Sequence, residues 1–178
     1  RDFLDFRRAA VRDGEQGPVR QYVLVPGADS DRARRLADLL LGQGIEVRRT
    51  AAEVRSGDRV FPAGSFVVPL AQPAGRLARM LLDPRVSMEE AFVKEQERLR
   101  KKRLDNEIYD VTGWSLPLAF DVECVGLGAP FGGDLREYAA ALPPPRALQA
   151  AKVAWLLPWG SATAAGVAEA LQDGLKVR

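Results

Sequence analysis

From residue 21 to residue 47 the chain alternates an apolar run, a short turn, a helix-patterned stretch and a second apolar run, with almost nothing left over. QYVLVP at 21–26 is compact, apolar and rich enough in valine for a strand. Gly27-Ala28-Asp29-Ser30 turns the chain, and Asp29 or Ser30 can cap the helix that follows. Ala33, Leu36, Ala37, Leu40 and Leu41 then recur at spacings of three and four, so a helix over 31–41 has one apolar side. Gly42 and Gly44 end it, and Ile45-Glu46-Val47 opens another strand. Two strands joined through one helix by short turns are the signature of a parallel pair. The chain is therefore expected to be α/β with a mainly parallel sheet.

The flanking segments read less sharply. Residues 1–13 suggest a short helix with Phe3, Leu4, Phe6 and Val11 on its apolar side, broken by Gly14 and the Gly17-Pro18 pair. After residue 47 a hairpin is expected, with a turn at Ser56-Gly57-Asp58 and a short strand Arg59-Val60-Phe61. SFVVPL at 65–70 is a further strand, and Pro69 places it at an edge or at its own end. Pro73 opens a helix whose buried side carries Leu77, Ala78, Leu81 and Leu82. A long charged helix is expected over 88–104, with a thin stripe of Met88, Phe92 and Leu99. A short helix with Pro117 in its first turns and a strand over 122–127 complete this part.

Residues 128–150 contain Gly128, Pro130, Gly132, Gly133 and the triple Pro143-Pro144-Pro145, a stiff composition typical of a join. Beyond it the first unit repeats. AWLLP at 154–158 matches YVLVP at 22–26, an alanine-rich helix follows, and GLKVR at 174–178 matches GIEVR at 44–48. The division expected is an N-terminal helix and linker at 1–20, an α/β domain at 21–127, a linker at 128–150 and the start of a second, incomplete strand–helix–strand unit at 151–178. A chain that opens on Arg1 and halts inside a repeat is expected to be a processed protein or an excised piece.

The residue inventory removes several chemistries. There is no histidine and only one cysteine, Cys124. A hydrolytic zinc site draws on histidine and carboxylate ligands, and Ser-His-Asp or Cys-His catalysis needs a histidine base. No Gly-Lys-Ser or Gly-Lys-Thr phosphate loop occurs, and no Gly-x-Gly-x-x-Gly follows either main strand. Cys124 lies between Val122 and Val125 and reads as a structural thiol. The run Arg98-Leu99-Arg100-Lys101-Lys102-Arg103 is balanced by Glu89, Glu90, Glu95 and Glu97, and a net charge of +2 does not argue for nucleic acid. No apolar run approaches the roughly 20 residues of a membrane span.

Two candidate sites remain. Strand ends followed by helix starts favour anions, which singles out Gly27, Asp29 and Ser30, and separately Gly160 and Ser161; an ordinary turn with a helix cap is the plainer reading of both. Carboxylate pairs, Asp29 with Asp31 or Asp110 with Asp121, are the other formal possibility, and helix capping is again the plainer reading for the first.

The tract AGSFVVPLAQPAGRLARMLLDP at 63–84, with EIYDVTGWSLPLAFDVE at 107–123, resembles the region downstream of the catalytic domain in large bacterial zinc carboxypeptidase-like proteins. Its most specific part is Tyr-Asp-Val-Thr-x-Trp-x-Leu-Pro, here from Tyr109 to Pro117, and the likeness spans most of residues 20–125. The resemblance implies a flavodoxin-like sandwich similar to class I glutamine amidotransferases but lacking their catalytic residues. It also implies a bacterial, exported parent whose zinc is held elsewhere, by a His-x-x-Glu motif and a distant histidine that this chain does not contain. Tyr109, Asp110 and Trp114 become a possible interface to that catalytic domain, although core that closes the first module is the favoured reading of Trp114, Leu116 and Leu118.

The expectation is thus a non-catalytic accessory domain of a zinc metallocarboxypeptidase, with no cofactor of its own. Its partner would be the catalytic domain of the same polypeptide or, less directly, a second copy in a homodimer. The alternative is a small-ligand or peptide-binding module using the two turns.

Overall fold

The computed structural model describes residues 2–84, 90–104, 115–130, 132–140 and 151–177. Helix α1 (Asp2–Gln16) is followed by strand β1 (Gln21–Val25), helix α2 (Ser30–Gly42) and strand β2 (Arg48–Thr50). A hairpin of β3 (Val54–Ser56) and β4 (Arg59–Phe61) leads to β5 (Phe66–Pro69) and α3 (Gly75–Leu82). Then come α4 (Glu90–Lys101), α5 (Leu116–Phe120), β6 (Glu123–Leu127), β7 (Leu135–Glu137) and α6 (Ser161–Gln172).

The sheet corrects the expected fold class. Its five strands lie in the order β6-β1-β5-β2-β7, and each neighbouring pair is antiparallel. This is not the mainly parallel sheet of a flavodoxin-like or amidotransferase-like sandwich. A strand–helix–strand unit does exist, although its second strand is β2 at 48–50 and Ile45-Glu46-Val47 is not itself a strand: β1 and β2 both oppose β5, so they run in the same direction on either side of α2. They are not neighbours. The chain leaves β2 through the β3–β4 hairpin and returns as β5 between them, a split crossover. Pro69 is accordingly at a strand end, opposite Gln21, in the middle of the sheet.

An unbroken apolar strand such as QYVLV reports burial on both faces and says nothing about direction. Alternate side chains of β1 and β5 point opposite ways. Tyr22, Leu24, Phe66 and Val68 join Leu36, Leu40, Ile45, Val47, Ala78 and Leu82 in a core beneath α2 and α3. Val23 and Val67 meet Val54 and Phe61 of the hairpin on the other face. The hairpin does for the second face what a further helix layer would do in a doubly wound fold.

Three local devices hold this arrangement. Helix α1 runs through Gly14, where the sequence suggests a break, because it crosses α3 at the Leu70 carbonyl. A Cβ at Gly14 would lie 2.0 Å from that oxygen and one at Gly75 would lie 2.1 Å from it, so both positions exclude a side chain. Arg76 closes the crossing with two bonds to Asp13 at 2.7 and 2.9 Å and stacks 4.6 Å from the Phe6 ring centre. Gln72, fully buried, acts as a substitute strand: its side-chain oxygen accepts from the Glu46 N–H at 2.7 Å and its amide donates to the Glu46 and Pro69 carbonyls at 3.1 and 2.6 Å.

Within the expected linker, β7 pairs with the outer edge of β2, with Arg48 opposite Glu137 and Thr50 opposite Leu135. Tyr138 then packs edge-on against Phe66, ring centres 4.8 Å apart, and its hydroxyl donates to Asp38 Oδ1 at 2.7 Å. In the second unit, α6 forms over the expected residues, but 154–159 and 175–177 are not strands.

Candidate functional site

The two turns singled out in the sequence come together. Asp29 follows the open turn at Gly27, whose Cβ position has nothing within 4 Å. Its side chain caps α2, Oδ1 accepting from the Asp31 N–H at 3.2 Å. The other oxygen turns outward to the second unit. Oδ2 accepts from the Ser161 N–H at 2.8 Å and from the Ser161 hydroxyl at 2.7 Å, with Arg32 Nε at 3.2 Å from the same atom. One carboxylate therefore caps two helices, its own at the start and α6 at the start. Gly160 is what allows the approach, since a Cβ there would lie 3.0 Å from the Asp29 carboxyl carbon. Ser30 begins α2 and is exposed, outside this contact.

An anion at a helix N-terminus is stabilised by the unpaired N–H groups and the helix dipole. Here the anion is part of the chain. The Ser161 N–H, then its hydroxyl, hold the Asp29 carboxyl below the usual carboxylate range. The α6 start that the sequence marks as an anion turn is thus filled from within.

The carboxylate pairs do not assemble into an acid–base site. Asp31 accepts from Arg34 at 2.5 and 2.9 Å and from Arg35 at 2.6 Å, so it is matched to cations and not to Asp29. Asp121 is an exposed partner of Arg32. Tyr109, Asp110 and Trp114 lie outside the described residues. Among the described residues no three Cys, Asp or Glu side chains gather in a way that could hold a metal ion. A cavity of about 60 Å³ beside Leu70, bordered by Asp13, Arg76 and Arg79, is far below the roughly 300 Å³ at which small-molecule pockets begin.

Cys124 on β6 is partly buried, its Sγ 3.8 Å from the Leu82 carbonyl, and burial with Asp83 nearby pushes the thiol up to about 12. It stays protonated and unreactive at neutral pH. In the charged run, Arg98 pairs with Glu95 at 2.6 Å along α4, an ordinary solvated helix face.

A lone strand–helix–strand unit is expected to expose apolar surface, and the run ahead of α6 does so. Val153, Leu156 and Trp159 are 97%, 98% and 76% exposed, and Leu157 is more than half exposed. The sequence KVAWLLP reads as a strand, which the structure does not form. No helix among the described residues is long and apolar enough to cross a membrane. No family model, no curated protein and no solved structure matches the chain.

Proposed function

We propose that the chain is a non-catalytic accessory domain that works by packing against the catalytic domain of a zinc carboxypeptidase-like polypeptide. The observation that carries this reading is the exposed run 153–159. Two tryptophans, two leucines and a valine held at the surface in succession make a patch of the kind that marks a protein interface. The tracts at 63–84 and 107–123 supply the identity of the partner through their resemblance to the region downstream of such catalytic domains. On this reading the zinc ligands would belong to that partner, since this chain has no histidine to offer.

The test begins with the coding DNA on both sides of this segment. A His-x-x-Glu motif and a later histidine upstream in the same reading frame are expected. That upstream domain, produced separately, should bind the chain, and Leu156→Asp with Trp159→Asp should abolish the binding while leaving the chain folded. Stoichiometric zinc retained by the chain itself, or a start codon just before Arg1 with a stop just after Arg178, would overturn the proposal. Small-ligand binding at the two turns remains the weaker reading, because Asp29 already occupies the α6 start.

A further inference from the structure

We propose that β6 pairs edge to edge with β6 of a second copy of this chain, antiparallel, about a two-fold axis at Val125. The two edges of the five-stranded sheet are built differently. β7 is three residues long and carries the charged Arg136 and Glu137, the usual means by which an edge strand is kept from pairing. β6 is five residues long, contains no proline, and its run Cys124-Val125-Gly126-Leu127 has no charge. Its one charged residue, Glu123, is already matched by Arg59. Among the described residues no strand lies beyond β6.

The ladder fixes which backbone groups face outward. The Leu127 carbonyl accepts from the Arg20 N–H, so Leu127 and its alternates Val125 and Glu123 turn their groups toward β1. Cys124 and Gly126 turn theirs away, and among the described residues those N–H and C=O groups have no hydrogen-bond partner. A strand with this spacing is complementary to itself. In the register that overlaps the whole of β6, Cys124 faces Gly126 of the partner subunit and Gly126 faces Cys124 of the partner subunit, and each pair exchanges both of its bonds. Gly126 is exposed and brings no side chain, which leaves room for Cys124. Val125 meets its own copy on the axis, at the closer, non-hydrogen-bonded position, on the face where Val125 and Leu127 are only partly buried. Glu123 falls opposite Leu127 of the partner subunit, so no like charges meet. Any other register shortens the overlap or puts the outward groups out of phase. The contact is isologous and small, which makes the dimer weak and concentration-dependent.

Sedimentation and hydrogen exchange on the full chain, from micromolar to millimolar concentration, test this. The wild type should pass from monomer to dimer over that range. In step with it, the Cys124 and Gly126 amides should slow by about tenfold, while the Val125 amide, bonded to β1, is protected throughout. Val125→Lys sets two ammonium groups against each other on the axis and should leave the chain monomeric at every concentration, with the β1 and β5 amides exchanging as in the wild type. Where that variant fails to fold, the wild-type exchange pattern decides alone. A wild type that stays monomeric at millimolar concentration would overturn the pairing. So would a dimer in which Cys124 and Gly126 exchange as fast as in the monomer, or one that persists in folded Val125→Lys.

Discussion

The segments 21–47 and 151–177 carry nearly the same pattern and reach opposite ends. In the first, Ile45 and Val47 are each 1% exposed; in the second, Leu175 and Val177, their counterparts, are 61% and 41% exposed. Both form their helix, because helix formation needs only local bonds. Only the first forms its strand, because a strand needs neighbours, and β1 has β5 on one side and β6 on the other. The repeat is also uneven where it matters. With GIEVR set on GLKVR, the core positions Leu36 and Leu40 fall opposite Gly166 and Ala170. The second unit keeps the punctuation of the first and loses its core-facing side chains.

The largest effect expected from this contrast is at the matched positions after each helix. Ile45→Ala should destabilise the domain by about 2–5 kcal/mol, the usual cost of emptying a buried aliphatic site. Leu175→Ala should change stability by less than about 0.5 kcal/mol, as at ordinary surface sites. Paired denaturant melts decide the matter. Similar losses for the two would mean that the second unit shares the core, against the contrast drawn here.

A smaller effect, with a change of sign, is expected for glycine to alanine. Gly75→Ala drives a methyl into the Leu70 carbonyl and should cost about 1–3 kcal/mol, as overpacking does. Gly166→Ala meets nothing within 4 Å in the middle of α6 and should stabilise that helix by about 0.5–1 kcal/mol. Gln72→Ala sharpens the same comparison. It strands the Glu46 N–H and two carbonyls and should cost about 1–3 kcal/mol, whereas Lys176, opposite Glu46 in the repeat, has no such amide to lose.

How much of this was legible follows from what each signal reports. The helix over 31–41, the Ser56-Gly57-Asp58 turn and the strand at 65–70 were readable because period and punctuation are local. Strand direction was not. The short turns around α2 predicted a parallel pair, and β1 and β2 do run the same way, but nothing in QYVLV or SFVVPL reveals that the second inserts beside the first. The glycines and prolines of 128–150 read as a linker and hide the pairing of Leu135-Arg136-Glu137 with β2. The turns at Gly27–Ser30 and Gly160-Ser161 were found by their capping residues. That Asp29 would reach across 132 residues to cap α6 depends on tertiary placement, which no spacing encodes.

The gentlest probe of the contrast is base, since it leaves the fold untouched at neutral pH. Burial first, and Asp83 next to it, push Tyr22 on β1 up to about 12; burial and the bond to Asp38 do the same for Tyr138, and burial for Cys124. All three raised groups sit on or beside the five-stranded sheet, and residues 151–177 contain no tyrosine or cysteine. In the unfolded chain these groups lose their protons near their ordinary values, roughly 8.5 for the thiol and 10 for the phenols. Above those values the unfolded state binds fewer protons than the folded one, so stability falls as pH rises and continues to fall until the folded groups ionise near 12. A melt series from pH 7 to 12 should be flat at first and decline beyond about pH 9, and tyrosinate absorbance should appear together with loss of the β1–β5 amides. Tyr22→Phe should flatten the upper part of that decline. A decline of the same slope in Tyr22→Phe would remove the β1 hydroxyl from the account and leave Tyr138 and Cys124 to carry the alkaline limb.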